Sequence, residues 1–204
     1  MMIPKIRLAA ALLALASAHA ACGAEPEADG GSDDRAAMEA SLREHCKTSA
    51  SPCRENLQVV LRRDGGETYD RTFALLPPAV QPHMISVHPG EIVRAVPLFE
   101  NERFAGWRAP RADEPADTQI LTIDLDQMDD KAGMMASVST NTGPALKLRM
   151  GLVRLDGSDE PESTSSCPLR AGGWKNFEMW PYPIFVLLVA DAARPTPEDE
   201  GVCR

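Results

Sequence analysis

From Leu57 to Asp191 the chain is built of short apolar–polar alternations punctuated by turn residues, and this pattern constrains its fold more than any other feature. "TQILTIDLD" sets Ile120, Thr122 and Asp124 against Leu121, Ile123 and Leu125. "ALKLRMGLVRL" sets Leu146, Leu148 and Met150 against Lys147 and Arg149. A period of two places one set on a core and the other in water, as in half-buried strands. "LQVVLRR" and "TYDRTFALL" flank Asp64-Gly65-Gly66. Those glycines supply the positive φ angles of a hairpin turn. "MISVH" and "IVRAVPLF" flank "PGE" and read as a second pair, while "MMASVST" and "ALKLRMGLVRL" flank "NTGP". "PIFVLLVAD" is apolar throughout and reads as a central strand buried on both faces.

About eight or nine strands with no alternating long helices exclude a βαβ architecture. The expected fold is mainly β: a disulfide-bonded β-sandwich, immunoglobulin-like or jelly-roll-like, with a short N-terminal helix. That helix is "RAAMEASLREHC", capped by Ser32 or Asp33, with Ala37, Met38, Leu42 and Cys46 at helical spacing. The stripe is narrow, so the helix should lie against the sandwich. The chain divides into a leader (1–21), a tether (22–34) and the folded domain (35–204).

The leader opens with "MMIPKIR" and continues with the apolar "LAAALLALASAHA", the form of a secretory signal. "AHA" suits ordinary cleavage before Ala21. "HAAC" resembles the lipobox of bacterial lipoproteins through Ala20, Ala21, Cys22 and the following Gly23. His19 departs from that pattern, which prefers Leu or another aliphatic residue. The resemblance covers only the first two dozen residues and implies a lipid on Cys22, hence a membrane anchor. The segment "GAEPEADGGSDD" has acids, small residues and no large apolar side chain, so it reads as a flexible spacer. The expected location is the bacterial cell envelope if Cys22 is acylated, and periplasmic or secreted if it is not.

Five cysteines, Cys22, Cys46, Cys53, Cys167 and Cys203, leave one unpaired in an exported chain. A lipid on Cys22 leaves four to pair. Local pairing gives Cys46–Cys53 and Cys167–Cys203, although four cysteines allow two other connectivities. The chain-entropy estimate is roughly 2.5 kcal/mol for the short loop and roughly 4 kcal/mol for the long one.

The net charge of −9 becomes −11 when Lys5 and Arg7 leave with the leader. Such a chain repels phosphate backbones, which argues against nucleic acid as a partner. The sequence contains no G-x-S-x-G element and no EF-hand. Asp126, Asp129 and Asp130 form a looser acidic turn with oxygens suited to calcium. No cofactor is implied. A hydrolase assembled from loops would need His45, His83 or His88 as its base.

"GGWKNFEMWPYPIF" concentrates the aromatic residues, and Trp174, Trp180 and Tyr182 are the candidate ligand platform. The same rings could instead plug the end of the core. The chain therefore reads first as a non-catalytic binding or envelope-associated module whose partner is a glycan or an envelope protein. A loop-built hydrolase is the alternative.

Overall fold

Alternation in the sequence becomes two facing antiparallel sheets in the computed structural model, which describes residues 31–129, 131–157, 160–170, 172–196 and 199. One five-stranded sheet runs, in spatial order, β10 (Glu162–Ser165), β9 (Lys147–Arg154), β12 (Ile184–Ala193), β4 (Met84–Val87) and β3 (Val80–Gln81). The other runs β11 (Lys175–Trp180), β8 (Met134–Thr140), β7 (Leu121–Gln127), β5 (Glu91–Glu100) and β6 (Arg103–Arg108). A separate hairpin, β1 (Arg54–Arg62) with β2 (Thr68–Leu76), turns through Gly65 and Gly66, both at positive φ. The fold is a β-sandwich with twelve described strands, more than the alternation alone marks out.

The core is the apolar half of each alternation. Leu148, Met150 and Leu152 of β9 join Ile85 and Val87 of β4 and Leu187 and Val189 of β12. Opposite them lie Leu121, Ile123 and Leu125 of β7 and Met134, Ala136 and Val138 of β8. Each buried aliphatic side chain contributes about 1.5–3 kcal/mol by leaving water. β12 is the central strand of its sheet, paired on both sides, as its unbroken apolar run implies.

Pairing departs from the sequence order in one informative place. The turn "PGE" does not close a hairpin. β4 pairs with β12 and β3, whereas β5 pairs with β6 and β7. The turn therefore arches the chain from one sheet to the other. The reason lies in the burial pattern: Ile85 and Val87 face one sheet's interior, and Val93 and Ala95 face it from the other. "NTGP" likewise separates β8 and β9, which lie in different sheets.

The helix α1 (Gly31–Thr48) starts earlier than the capping residues suggest. Residues 31–34, read as tether, are helical, and Ser32 and Asp33 fall within its first turn. Only Leu42 and Cys46 among its described side chains are even half-buried, so the helix touches the domain at its C-terminal end alone. There the Cys46–Cys53 disulfide ties it to the start of β1. Cys167 is also disulfide-bonded. Cys203, the residue read as its partner, lies outside the described residues, as do Cys22 and the leader.

Two contacts fix the hairpin to both sheets. Tyr69 and Phe73 pack on Phe185 of β12 with ring centroids 6.2 and 5.6 Å apart. On the other side, the Gln127 amide accepts from Arg62 N and donates to Arg62 O, at 2.7 and 2.8 Å. A third stitch joins the sheets directly. Trp107 N donates to Pro82 O at 2.9 Å. Gly106, at φ +149°, makes this approach possible, because a Cβ there would lie 2.5 Å from the same oxygen.

Candidate functional site

The outward half of the alternation in the β11-β8-β7-β5 sheet forms a flat, solvent-facing surface. Cross-strand register sets Phe177, Ser137, Asp124 and Ile92 in one row. Lys175, Ser139, Thr122 and Arg94 form the next, and Met179, Met135 and Asp126 flank the first row on its other side. Strand spacing makes each four-strand row roughly 15 Å long. Ser137, Ser139, Thr122, Asp124 and Met135 occupy the middle; Phe177, Met179 and Ile92 put apolar groups at the edges, and Lys175 and Arg94 end the second row.

The apolar edge is unusually open. Trp174 is 72% exposed, Phe177 56%, Met179 64% and, across the sheet, Ile92 67%. The turn ahead of Trp174 is anchored by Gly172 N to Asn141 O and Gly173 N to Thr140 O, at 3.3 and 2.9 Å. In the middle of the face, burial and then the adjacent Asp126 hold the Asp124 carboxyl above its usual range, while Lys175 pulls it back. This surface can stack an apolar plane on a ring and meet polar groups with Ser137, Ser139, Asp124 and Asp126.

The three aromatics singled out by sequence do not form a platform. Trp174 is free, but Trp180 is on the opposite face of β11 and packs against the core. Tyr182 also packs against the core, with Arg154 stacked 3.9 Å from its ring centroid and its hydroxyl 3.3 Å from Glu162. Both faces of "KNFEMW" carry an aromatic, so the composition alone could not sort them. The exposed set is Trp174, Phe177 and Met179. The opposite face of β11 is used structurally: Asn176 donates to Cys167 O and Pro168 O, and Glu178 accepts from Cys167 N.

The described part of the acidic turn gathers less than calcium needs. Asp126 ends β7 and Asp129 lies in the following turn, while Asp130 lies outside the described residues. Among the described residues no three His, Cys, Asp or Glu side chains come together closely enough to hold a metal ion.

The histidines occupy three unrelated settings. His45 is on the exposed side of α1, and His83 is exposed in the turn between β3 and β4. His88 is 5% exposed and lies between Phe73 and Phe185, at centroid distances of 6.3 and 5.0 Å. Its Nδ1–H donates to Phe185 O at 3.0 Å, since a carbonyl can only accept. Burial lowers its pKa to about 4, with the Arg54 charge adding to the effect and the Phe185 bond opposing it.

The neighbouring polar groups are already committed. Arg54 donates to Glu91 Oε2 at 2.7 Å, to Ser86 Oγ at 2.9 Å and to Pro77 O at 2.9 Å. Glu91 Oε2 also accepts from His88 N at 2.8 Å. Ser86 is therefore engaged by a guanidinium rather than by an imidazole, and is not set up as a histidine-activated nucleophile. This network escaped the sequence reading because its members come from the starts and ends of four different strands and from the β2–β3 connection.

Two open depressions also mark the described surface. One, about 320 Å³, is lined by Leu152, Arg154 and residues of the β9–β10 connection. The other, about 430 Å³, lies between Arg94 of β5 and the segment that follows β6. Neither is lined by a histidine. No family model matches the chain, and neither the curated proteins nor the solved structures contain a match, so the physical character of these surfaces carries the functional reading.

Proposed function

We propose that this protein is an exported, lipid-anchored, non-catalytic binding module, and that its ligand is an envelope glycan seated on the open face of the β11-β8-β7-β5 sheet. The observation that carries this reading is Phe177 exposed on the outward face of β11, with the exposed Trp174 just ahead of that strand, beside a strip of hydroxyls and carboxylates. A sugar ring offers a C–H face to an aromatic plane and hydroxyls to Ser137, Asp124 and Asp126. A flat protein partner would be served less well by the central carboxylates, because charged residues are depleted from the cores of protein interfaces.

Saturable binding of solubilised envelope polysaccharide, followed by Trp fluorescence, is the expected result. The Trp174→Ala/Phe177→Ala double variant should bind about tenfold or more weakly with its thermal unfolding unchanged. Binding that survives the double variant, or retention of envelope proteins but no polysaccharide, overturns the glycan reading.

The anchor rests on separate support. With Cys46 and Cys53 joined and Cys167 in a disulfide, pairing of Cys167 with Cys203 leaves Cys22 for acylation. Mass spectrometry of the mature N-terminus should find an acylated Cys22. A chain starting at an unmodified Ala21 would refute the anchor.

A further inference from the structure

A second ligand site lies at one end of the same sheet and has a different character. The depression of about 430 Å³ is walled by Pro110, Pro115 and Ile120, with the guanidinium-bearing Arg94 and Arg111 on its lining. One acid also lines it, Glu114, and its charge is already used. Arg108 donates to both Glu114 oxygens at 2.6 Å, and Arg111 N donates to Glu114 Oε2 at 2.9 Å. These bonds, the Arg108 pair first, hold the Glu114 carboxylate down at about 2, so it stays ionised and fully engaged.

Neither Arg94 nor Arg111 makes an ion pair among the described residues. Asp113 and Asp117 belong to the same segment, yet neither lines the depression. A protein of net charge −9 thus keeps a hollow whose lining carries two arginines outside any ion pair among the described residues, with Pro110, Pro115 and Ile120 on the same lining.

The hollow is rigid as well as charged. Asn141, also on its lining, accepts from Ile120 N at 2.6 Å and donates to Thr118 O at 3.0 Å. Together with the Glu114 bonds this fixes both ends of the 111–118 segment against the sheet. Arg94 projects from a strand rather than from a loop. A site held this way costs little ordering when it is filled.

We propose that this depression binds a small organic anion, a carboxylate or phosphate group carried on an apolar body, with Arg94 and Arg111 on the anionic group and Pro110, Pro115 and Ile120 against the body. Guanidinium donors suit the paired oxygens of either group, and such charge-assisted bonds are stronger than neutral ones. Arg94 ends a row of the glycan face as well as lining the depression, but Arg111 and the 110–116 segment belong to the depression alone, so loss of glycan binding in the Trp174→Ala/Phe177→Ala variant leaves the proposal standing.

Titration of the ¹⁵N-labelled protein with hexanoate, inorganic phosphate and the uncharged hexanamide tests it. Saturable shifts at the Ile120 and Asn141 amides and the Arg94 and Arg111 Nε–H groups are expected, with half-saturation at roughly 1–10 mM. Stronger binding of hexanoate identifies a carboxylate site, and stronger binding of phosphate identifies a phosphate site. Arg111→Gln should weaken binding about tenfold and Arg94→Gln/Arg111→Gln should abolish saturation. Arg103→Gln, an exposed arginine at the start of β6 and outside the lining of the depression, should leave binding unchanged. Equal shifts from hexanamide, equal shifts from sodium chloride, or wild-type binding by the double variant would each overturn the proposal.

Discussion

Replacing Arg54 with alanine should lower the free energy of unfolding by about 3–5 kcal/mol, the usual cost of removing one partner of a buried ion pair. The Arg54 and Glu91 side chains are 12% and 14% exposed, so the remaining carboxylate would stay largely out of water without its counter-charge. Arg54 also donates to Pro77 O and to both Ser86 O and Ser86 Oγ. Its loss would leave acceptors from the end of β2 and from β4 without a donor.

The Arg54→Met/Glu91→Leu double variant should lose less than Arg54→Ala alone. An apolar pair of similar volume avoids the desolvated charge. Urea unfolding of the three proteins measures both statements. A double variant that loses as much as Arg54→Ala, or more, would show that the charges are not coupled as described.

The second large effect is on the acid side of neutrality. His88 has its folded pKa lowered to about 4 from an ordinary 6.5. Protonation therefore favours the unfolded chain. The contribution is complete above pH 6.5, falls as pH drops through the interval down to about 4, and is flat below that. At about 1.4 kcal/mol per unit the loss amounts to roughly 3 kcal/mol.

Glu114 and Asp199, held down at about 2, lose their contributions in a separate, more acidic window that opens below about 4.5. His88→Phe should remove the first step while keeping a ring between Phe73 and Phe185. Removing the Arg54 charge should shrink the same step, because that charge helps to depress the imidazole. Equilibrium unfolding at intervals from pH 7 to pH 4 measures the slope. A His88→Phe protein with the wild-type slope would show that the imidazole is not its source.

Particular residues show how much of this was legible in the chain. Leu148 and Met150 against Lys147 and Arg149 told which side of β9 is inside, because one face of that strand is buried and the other is wet. The central place of β12 in its sheet was equally plain, although Leu188 and Ala190 leave its second face half-buried rather than buried. The partnering of β4 and β5 was not, since a short turn between two apolar strands reads the same whether it closes a hairpin or arches between sheets.

β3 and β6 escaped because short strands carry too little pattern. β11 escaped because Phe177 and Trp180 put aromatics on opposite faces. The Cys46–Cys53 bridge is the local pairing among the three connectivities that the sequence left open. The anion-binding hollow did not, since Arg94 and Arg111 acquire a common purpose only once β5 and the segment after β6 are folded together.

The stitch between Pro82 O and Trp107 N has an implication for descent. Side chains elsewhere in the core can trade volumes, but position 106 has no such freedom. Any residue other than glycine there meets a backbone oxygen and a disfavoured φ at once. Divergence can rewrite nearly every apolar position of this sandwich as long as the pattern holds. A chain of the same ancestry, however altered, should still place a glycine one residue before the strand amide that crosses between the sheets. That glycine, read against the arch between β4 and β5, is the mark by which distant kin could be told from unrelated sandwiches.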